Sequence, residues 1–334
     1  MSTERPVIEV ARYVVGEAVW APSVHNTQPW WFSVGPSGLG LYADPARQLT
    51  VADPVGREML ISCGAALFTA RLALRAAGYV PETRILPDPV RPLLLASLGW
   101  RPGPAATAYE RRLYAQIRQR RSHRGGFAPL PVAPELLTLL REAAGRHGAA
   151  LHVITDEGIR YALAEVVQAS ERALQMDGSR VRERSSWTAP PGCLQADGVP
   201  VTAYPARAEW TSPYFPSPDF AHGRGWGHTP LSIVPGRSAG VVCLLETSSD
   251  EPGDWIGAGQ ALQRILLACT AWGVAVALHS QPFELGWGHD PVPSRPAGGL
   301  CPQMLLRIGT TTQTAGGIRR PPESVLFAAG ERSG

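Results

Sequence analysis

The chain contains no lysine: its 31 basic residues are all arginine, set against 28 acids for a formal charge of +3. Any anion site must therefore be built from guanidinium forks and backbone amides; coding bias in the source genome is the simpler cause of the absence. So small a charge, with no basic run interleaved with aromatics, argues against a nucleic-acid surface. The 5 cysteines are odd in number, widely spaced and in no CxxC pair, which argues against a disulfide framework or zinc site and fits a reducing compartment. The 8 histidines show no HxxxH or HxH spacing, and the pair in HGRGWGH (222–228) is too far apart to indicate a metal. No stretch approaches the roughly 20 apolar residues of a membrane span. MSTERPVIEV does not read as a signal peptide, so the expected location is the cytoplasm. HExxH, a P-loop and a GxGxxG after a strand are missing, which leaves catalysis to a bound cofactor.

What is present is a chain of 334 residues, 44% hydrophobic and 18% charged, enough for a sizeable globular core. With 35 glycines and 32 prolines, long irregular connections are expected. Helices are predicted over 6–20, 57–78, 109–119, 133–147 and 156–176, with strands near 30–43, 83–98, 149–154, 239–246, 274–280 and 303–309. Two helical segments align without a gap: GAALFTARLALRAAGY (64–79) and GQALQRILLACTAWGV (259–274). They share Gly64/Gly259, Ala66/Ala261, Leu67/Leu262, Leu72/Leu267, Ala73/Ala268, Ala76/Ala271 and Gly78/Gly273. Small residues along both allow close backbone approach, and each ends on a glycine suited to a left-handed helix end.

Two further motifs lie about a hundred residues apart: APSVHNTQPW (21–30) and RRSHRGGF (120–127). Together with DPVGREMLISCGAAL (53–67) and the PQMLLRIG…RRP ending (302–321), they resemble the nitroreductase family, specifically its double-length Acg-type branch. In ordinary members RRSxR precedes PSxxNxQPW in a short subunit, and a dimer takes one element from each protomer; here both lie in one chain and in reverse order. The resemblance implies an α+β, nitroreductase-like fold in which two fused halves form an intramolecular pseudo-dimer. The N-terminal half would cover 1–100; the C-terminal half would cover 101–334, with a lid at about 185–235. Each half keeps the element the other lacks, so one FMN per chain is expected. Gly125-Gly126 departs from the Arg-Pro common in that branch and loosens the loop.

The resemblance implies the following cofactor-binding set. Arg120, Ser122 and Arg124 alternate and, if extended, face one side; two forks and a hydroxyl suit a phosphate and the N1/O2 edge of the ring. Pro22 fixes the backbone, Ser23 and Asn26 reach ring edge or ribityl hydroxyls, and Gln28 does so or holds its own loop together. Leu278, His279, Ser280 and Gln281 bring backbone beside N5 and O4, with His279 either a buried structural histidine or a proton donor. Arg319 and Arg320 reach the phosphate or form an ordinary solvated pair. Trp187, Trp210, Tyr214, Phe215 and Trp226 are lid candidates. The expected activity is FMN-dependent oxidation–reduction with NAD(P)H as donor and a small conjugated or natural-product substrate. The alternative is a protein that sequesters FMN without turnover. No metal, nucleic-acid or membrane partner is expected, and the chain is expected to be a monomer (pseudo-dimer) or a homodimer.

Overall fold

The computed structural model describes residues 7–190, 192–203, 209–220, 237–285, 299–312 and 316–332. Helix α1 (Val7–Ala18) buries Val10, Ala11, Val14, Val15 and Ala18, one stripe at three- and four-residue spacing. A first sheet follows from β1 (Trp30–Gly35), β2 (Gly38–Ala43), β3 (Tyr79–Ile85) and β4 (Leu94–Pro102), with α2 (Arg57–Ala76) inserted between β2 and β3. The intervening α3 (Ala108–Tyr114) opens on a capping box in which Thr107 and Glu110 satisfy each other's backbone N–H. A second sheet is built from β5 (Ser122–His123), β6 (Ala149–Val153), β9 (Val241–Thr247), β10 (Ala275–His279) and β11 (Cys301–Gly309). Around it lie α4 (Pro134–Gly145), α5 (Glu157–Met176), α6 (Gly178–Ser186), α7 (Pro252–Ala271) and α8 (Gln281–Glu284), and a two-stranded pair of β7 (Thr188–Ala189) and β8 (Val199–Pro200). The last strand, β12 (Leu326–Ala328), returns to the first sheet and pairs in parallel with β1.

The two sheets share one topology. In the first, the order is β12-β1-β2-β4-β3; in the second, β5-β10-β11-β9-β6. Each thus has two strands before a long helix and two after it, ordered first, second, fourth, third, with every such neighbour antiparallel. Each also carries one extra strand added in parallel at an edge. The helices so related are α2 and α7, the two segments of the sequence repeat.

These helices pack on each other at the centre of the molecule. A Cβ on Gly64 would overlap the carbonyl oxygen of Ile256, and one on Gly259 that of Ile61. Ile61 and Ile256 stand in the same place relative to their glycines, so the contact is reciprocal, as at a two-fold axis. Next to it, buried Gln263 donates from Nε2 to Thr69 Oγ1 at 2.9 Å. Helix α2 is long and apolar enough to span a membrane by length and composition, contrary to the expectation that no such run exists; here 78% of its apolar window is buried inside the protein.

One consequence for stability concerns His147, just beyond α4, whose ring meets Phe68 edge-on with centroids 5.4 Å apart. Burial, then repulsion from Arg71, Arg264 and Arg146, lowers its pKa from 6.5 to about 4. The unfolded chain therefore binds more protons between those values, so stability is complete above pH 6.5 and is lost as pH falls towards 4. His147→Phe keeps the ring contact and removes the proton. It is expected to abolish roughly 1–2 kcal/mol of the acid sensitivity between neutral pH and about pH 5, after discounting for partial solvent screening. Urea unfolding of both proteins at the two pH values measures the difference.

Candidate functional site

Two adjoining cavities lie where the motif segments meet between the sheets. The larger, about 740 Å³, has a mostly apolar wall that includes Ile61, Ala65, Leu262, Leu278 and Met304. Its α2 wall is Glu58, Ile61, Ser62 and Ala65, which recur at three- and four-residue spacing and so share one helix face. The smaller cavity, about 430 Å³, is lined by Asn26, Arg120, Arg121 and Arg319 together with Val199, Pro200, Ala203, Gly316 and Gly317. Pro22, Ser23, Ser122 and Arg124 line both, so the two form one cleft with an apolar and a cationic end.

The cationic end gathers the guanidiniums of Arg120, Arg121, Arg124 and Arg319. Arg120 is 2% exposed, and its Nε and Nη1 have no hydrogen-bond partner. Burial, and then the like charges of Arg319, Arg121 and Arg124, push its pKa well below the ordinary arginine range. Arg319 is lowered to about 10, by burial and by Arg121. Trp20 supports both flanks of the cluster, with Arg121 and Arg319 at 5.5 and 5.8 Å from its ring centroid. Buried positive charges with unspent donors are costly unless an anion meets them. The chemistry of this donor set fits a phosphate.

The opposite wall is a strained turn that its own hydrogen bonds hold in place. His25, Asn26 and Gln28 all have left-handed backbones, with φ of 45°, 56° and 49°. Ser23 Oγ accepts from the Gln28 N–H at 2.9 Å, and Ser62 Oγ accepts from the Val24 N–H at 3.1 Å. Asn26 Nδ2 donates to the carbonyls of Gly198 and Ile318, while its Oδ1 accepts from Arg319 Nη1 at 3.1 Å. This one side chain joins the first motif to the C-terminal segment and to the strand pair below it. At the apolar end, Glu58 is 4% exposed. Its carboxyl is raised well above the usual range by burial and by Glu284 and Asp53, with Arg57 opposing. It lines the cavity with its Oε1 accepting from Arg57 Nη2 at 3.3 Å.

Of the expected set, Pro22, Ser23, Asn26, Arg120, Ser122, Arg124, Leu278, Ser280 and Arg319 line the cleft. Four do not. In β10 alternate residues face opposite ways, so Leu278 faces the cavity whereas His279 points behind the sheet; Ser280, at the turn into α8, lines the cavity, and Gln281, the first residue of α8, does not. His279 Nε2 accepts from Arg307 Nε at 2.8 Å, and Gln281 Nε2 donates to the Pro216 carbonyl at 3.3 Å. Gln28 is fully buried and structural: Nε2 donates to the Ala196 carbonyl at 2.9 Å and Oε1 accepts from the Arg320 N–H at 2.8 Å. Arg320 is spent on the Gln28 and Ser324 carbonyls. The lid aromatics also differ from expectation. Trp210 and Tyr214 stack on each other at 4.0 Å, Phe215 packs on His279, Trp187 lies under Arg47, and Trp226 falls outside the described residues. Pro218 and Phe220 reach the cavity instead. Sequence reasoning also missed Arg121, His25, His123, Glu58 and Ser62; the acid and hydroxyl on one face of an apolar helix were the available signal.

The two-fold related face of α7 packs against protein at the corresponding positions. In the register that pairs Gly64 with Gly259, the cavity-lining Ser62 and Ala65 correspond to Gly257 and Gln260. Gly257 is closely approached by the His147 carbonyl oxygen, and Gln260 Oε1 accepts from Arg71 Nη1 at 2.6 Å.

A family model described as "Nitroreductase family" matches residues 117–284. A Mycobacterium tuberculosis protein named "Putative NAD(P)H nitroreductase Rv3131" is 33% identical over 311 residues, 92% of this chain and 87% of its own length. A second of the same designation, acg, is 30% identical over 318 residues, 94% of this chain and 92% of its own. Among solved structures, an FMN-bound nitroreductase from Desulfitobacterium hafniense is 14% identical, with 65% of this chain and 97% of that chain covered at a TM-score of 0.40.

Proposed function

The chain belongs to the nitroreductase family, and from that premise we propose that it is an FMN-dependent oxidoreductase, driven by NAD(P)H, that reduces a small conjugated acceptor. The observation that carries this reading is the buried Arg120, with two nitrogens unbonded, at the cationic end of a cleft whose other end is apolar. The residues present fit the cofactor. Arg120, Arg319 and Ser122 would hold its phosphate, Ser23 and Arg124 lie where the cavities join, and Ile61, Leu262, Leu278 and Met304 offer apolar contact to a planar ring. Bound FMN supplies hydride transfer through its ring. The chain's own contribution is positional and electrostatic. The guanidinium cluster fixes the anion, the apolar walls exclude water, and Glu58, paired with Arg57, places a carboxyl at the cavity wall.

The contacts of Gly257 and Gln260 with His147 and Arg71, where α2 has cavity wall, favour a single site per chain. That supports the reading of the molecule as two fused protomers of which one composite site survives. One FMN per polypeptide is the expected stoichiometry.

A second reading, FMN sequestration without turnover, is favoured by Phe220, which is 3% exposed and walls the cavity from the segment over it. Anaerobic stopped-flow mixing of the yellow protein with NADH and NADPH separates the two. Bleaching of the flavin band within seconds by either nucleotide, and recovery on adding a quinone, is the expected result. A band untouched after minutes by both would leave only the sequestering role.

A further inference from the structure

His25 stands inside the first motif yet takes no part in the hydrogen bonds that hold that turn. It is 8% exposed and lines the apolar cavity, and neither Nδ1 nor Nε2 has a hydrogen-bond partner. Its ring is fixed edge-on against Phe220, centroids 4.8 Å apart and planes at 84°. Its backbone lies in the left-handed region, φ 45°, a conformation that its neighbours enforce: Ser23, Asn26 and Gln28 are all bonded in place. A buried imidazole with both nitrogens unspent is costly in the free protein. Strain and unmet polarity held rigidly towards a cavity are the marks of a residue waiting for a ligand.

The state of the ring narrows the ligand. Burial first, then the charges of Arg184 and Arg124, keep His25 well below the ordinary histidine pKa, so the imidazole is neutral. A neutral ring offers one N–H donor and one acceptor nitrogen. The phosphate end of the cleft is already served by arginines, and His25 lines only the apolar end. Its surroundings there, Phe220, Pro218 and Ile61, suit a flat, uncharged molecule.

We propose that His25 is the specificity residue for the electron acceptor: its neutral ring N–H donates a hydrogen bond to a carbonyl or nitro oxygen of a planar substrate seated in the apolar end of the cleft. This deepens the oxidoreductase reading and rests on it. The bond orients the acceptor and polarises its oxygen in a water-poor site, where one such donor counts for more than in solution.

The test uses the FMN-loaded protein in its oxidised state, with 4-hydroxybenzaldehyde as a planar carbonyl probe and no turnover. His25→Asn preserves a residue type that tolerates the left-handed backbone, but its shorter amide falls short of the imidazole's reach. The expected result is an unchanged FMN dissociation constant, by flavin fluorescence, with the aldehyde's dissociation constant raised about tenfold or more by perturbation of the flavin absorbance. With ¹⁵N-histidine labelling, the His25 ring nitrogens should shift on adding the aldehyde to the holoprotein. In a separate steady-state assay, with NADH or NADPH as donor and 1,4-naphthoquinone as acceptor, KM should rise more than kcat falls. An aldehyde affinity unchanged by the substitution overturns the proposal. So does a tenfold loss of FMN affinity in His25→Asn, which would make His25 a cofactor ligand. Failure of the unmodified protein to bind FMN at all would instead strike the oxidoreductase reading on which the proposal rests.

Discussion

Arg120→Met is expected to lose FMN on desalting and, without the cofactor, to melt at a higher temperature than the unmodified apoprotein. The two halves of this prediction have one cause. In the free chain Arg120 is buried among Arg121, Arg124 and Arg319, with two nitrogens unbonded, and no carboxylate figures among the influences on its pKa. Methionine keeps much of the volume and the apolar stem while removing a desolvated charge and three repulsions. With a phosphate in place the signs reverse, because the same charges become partners of a dianion. A hydrogen bond to a charged group contributes about 1.5–3 kcal/mol, which converts to a loss of roughly tenfold to more than a hundredfold in affinity. Thermal melts of both proteins, with and without FMN, give four temperatures that should cross. A fall in apoprotein melting temperature for Arg120→Met would mean that the guanidinium supports the fold, and the anion site would be misassigned. Arg120→Lys should lie between, because it keeps the charge and loses the fork.

How much of this is legible in the chain depends on which force wrote it. α1 shows an apolar stripe because only one side of it is buried, and the capping box of α3 is plain in Thr107 and Glu110. α2 and α7 are legible through their shared small residues, and the reciprocal overlap at Gly64 and Gly259 gives that repeat its physical meaning. The cationic end is legible because RRSHRGGF and the RRP ending each concentrate arginines within a few residues. What stays hidden is long-range. β12 is three residues joined to β1 from nearly three hundred positions away, and no local pattern announces it. α6 reads as loop because its sequence, GSRVRERSS, is almost wholly polar. It is anchored by Arg184, buried in an ion pair with Glu171 at 2.8 Å, and not by an apolar face. Gln28 reads as a ligand contact or a loop brace, and Arg320 as a phosphate contact or a solvated cation; the two bind each other's segments, since a motif shows which residues matter without separating those that touch the ligand from those that hold the loop. Glu58 escapes notice because a lone acid on a core helix looks like an exposed end. Its burial beside Glu284 depends on the second half of the chain.

The central crossing yields the largest expected effect on stability. Gly64→Ala and Gly259→Ala each place a methyl where a backbone carbonyl of the facing helix already stands, Ile256 in one case and Ile61 in the other. Alanine improves helix propensity by about 1 kcal/mol. Backbone, however, cannot rotate away as a side chain can, so the helices must separate; overpacking of this kind costs about 1–3 kcal/mol and sometimes more. The net expectation is a loss of about 2 kcal/mol for each, despite the better helix former. Gly145→Ala, at the end of α4 where an added methyl would meet only open space, should be neutral or slightly stabilising and serves as the control. Pseudo-two-fold packing adds a sharper requirement. The two substitutions act on one contact from opposite sides, so their losses should be similar and their sum should exceed the loss in the double variant, because helices already forced apart accommodate the second methyl at less cost. The effect should also reach the site. Ile61 and Ala65 flank Gly64 and line the cavity, so separation of the helices widens the apolar end and weakens FMN even where every arginine is intact. Urea unfolding of the four proteins measures the coupling, and flavin fluorescence the affinity. Strictly additive losses would mean that the two glycines act independently, and the reciprocal contact would not be the axis about which the halves are joined.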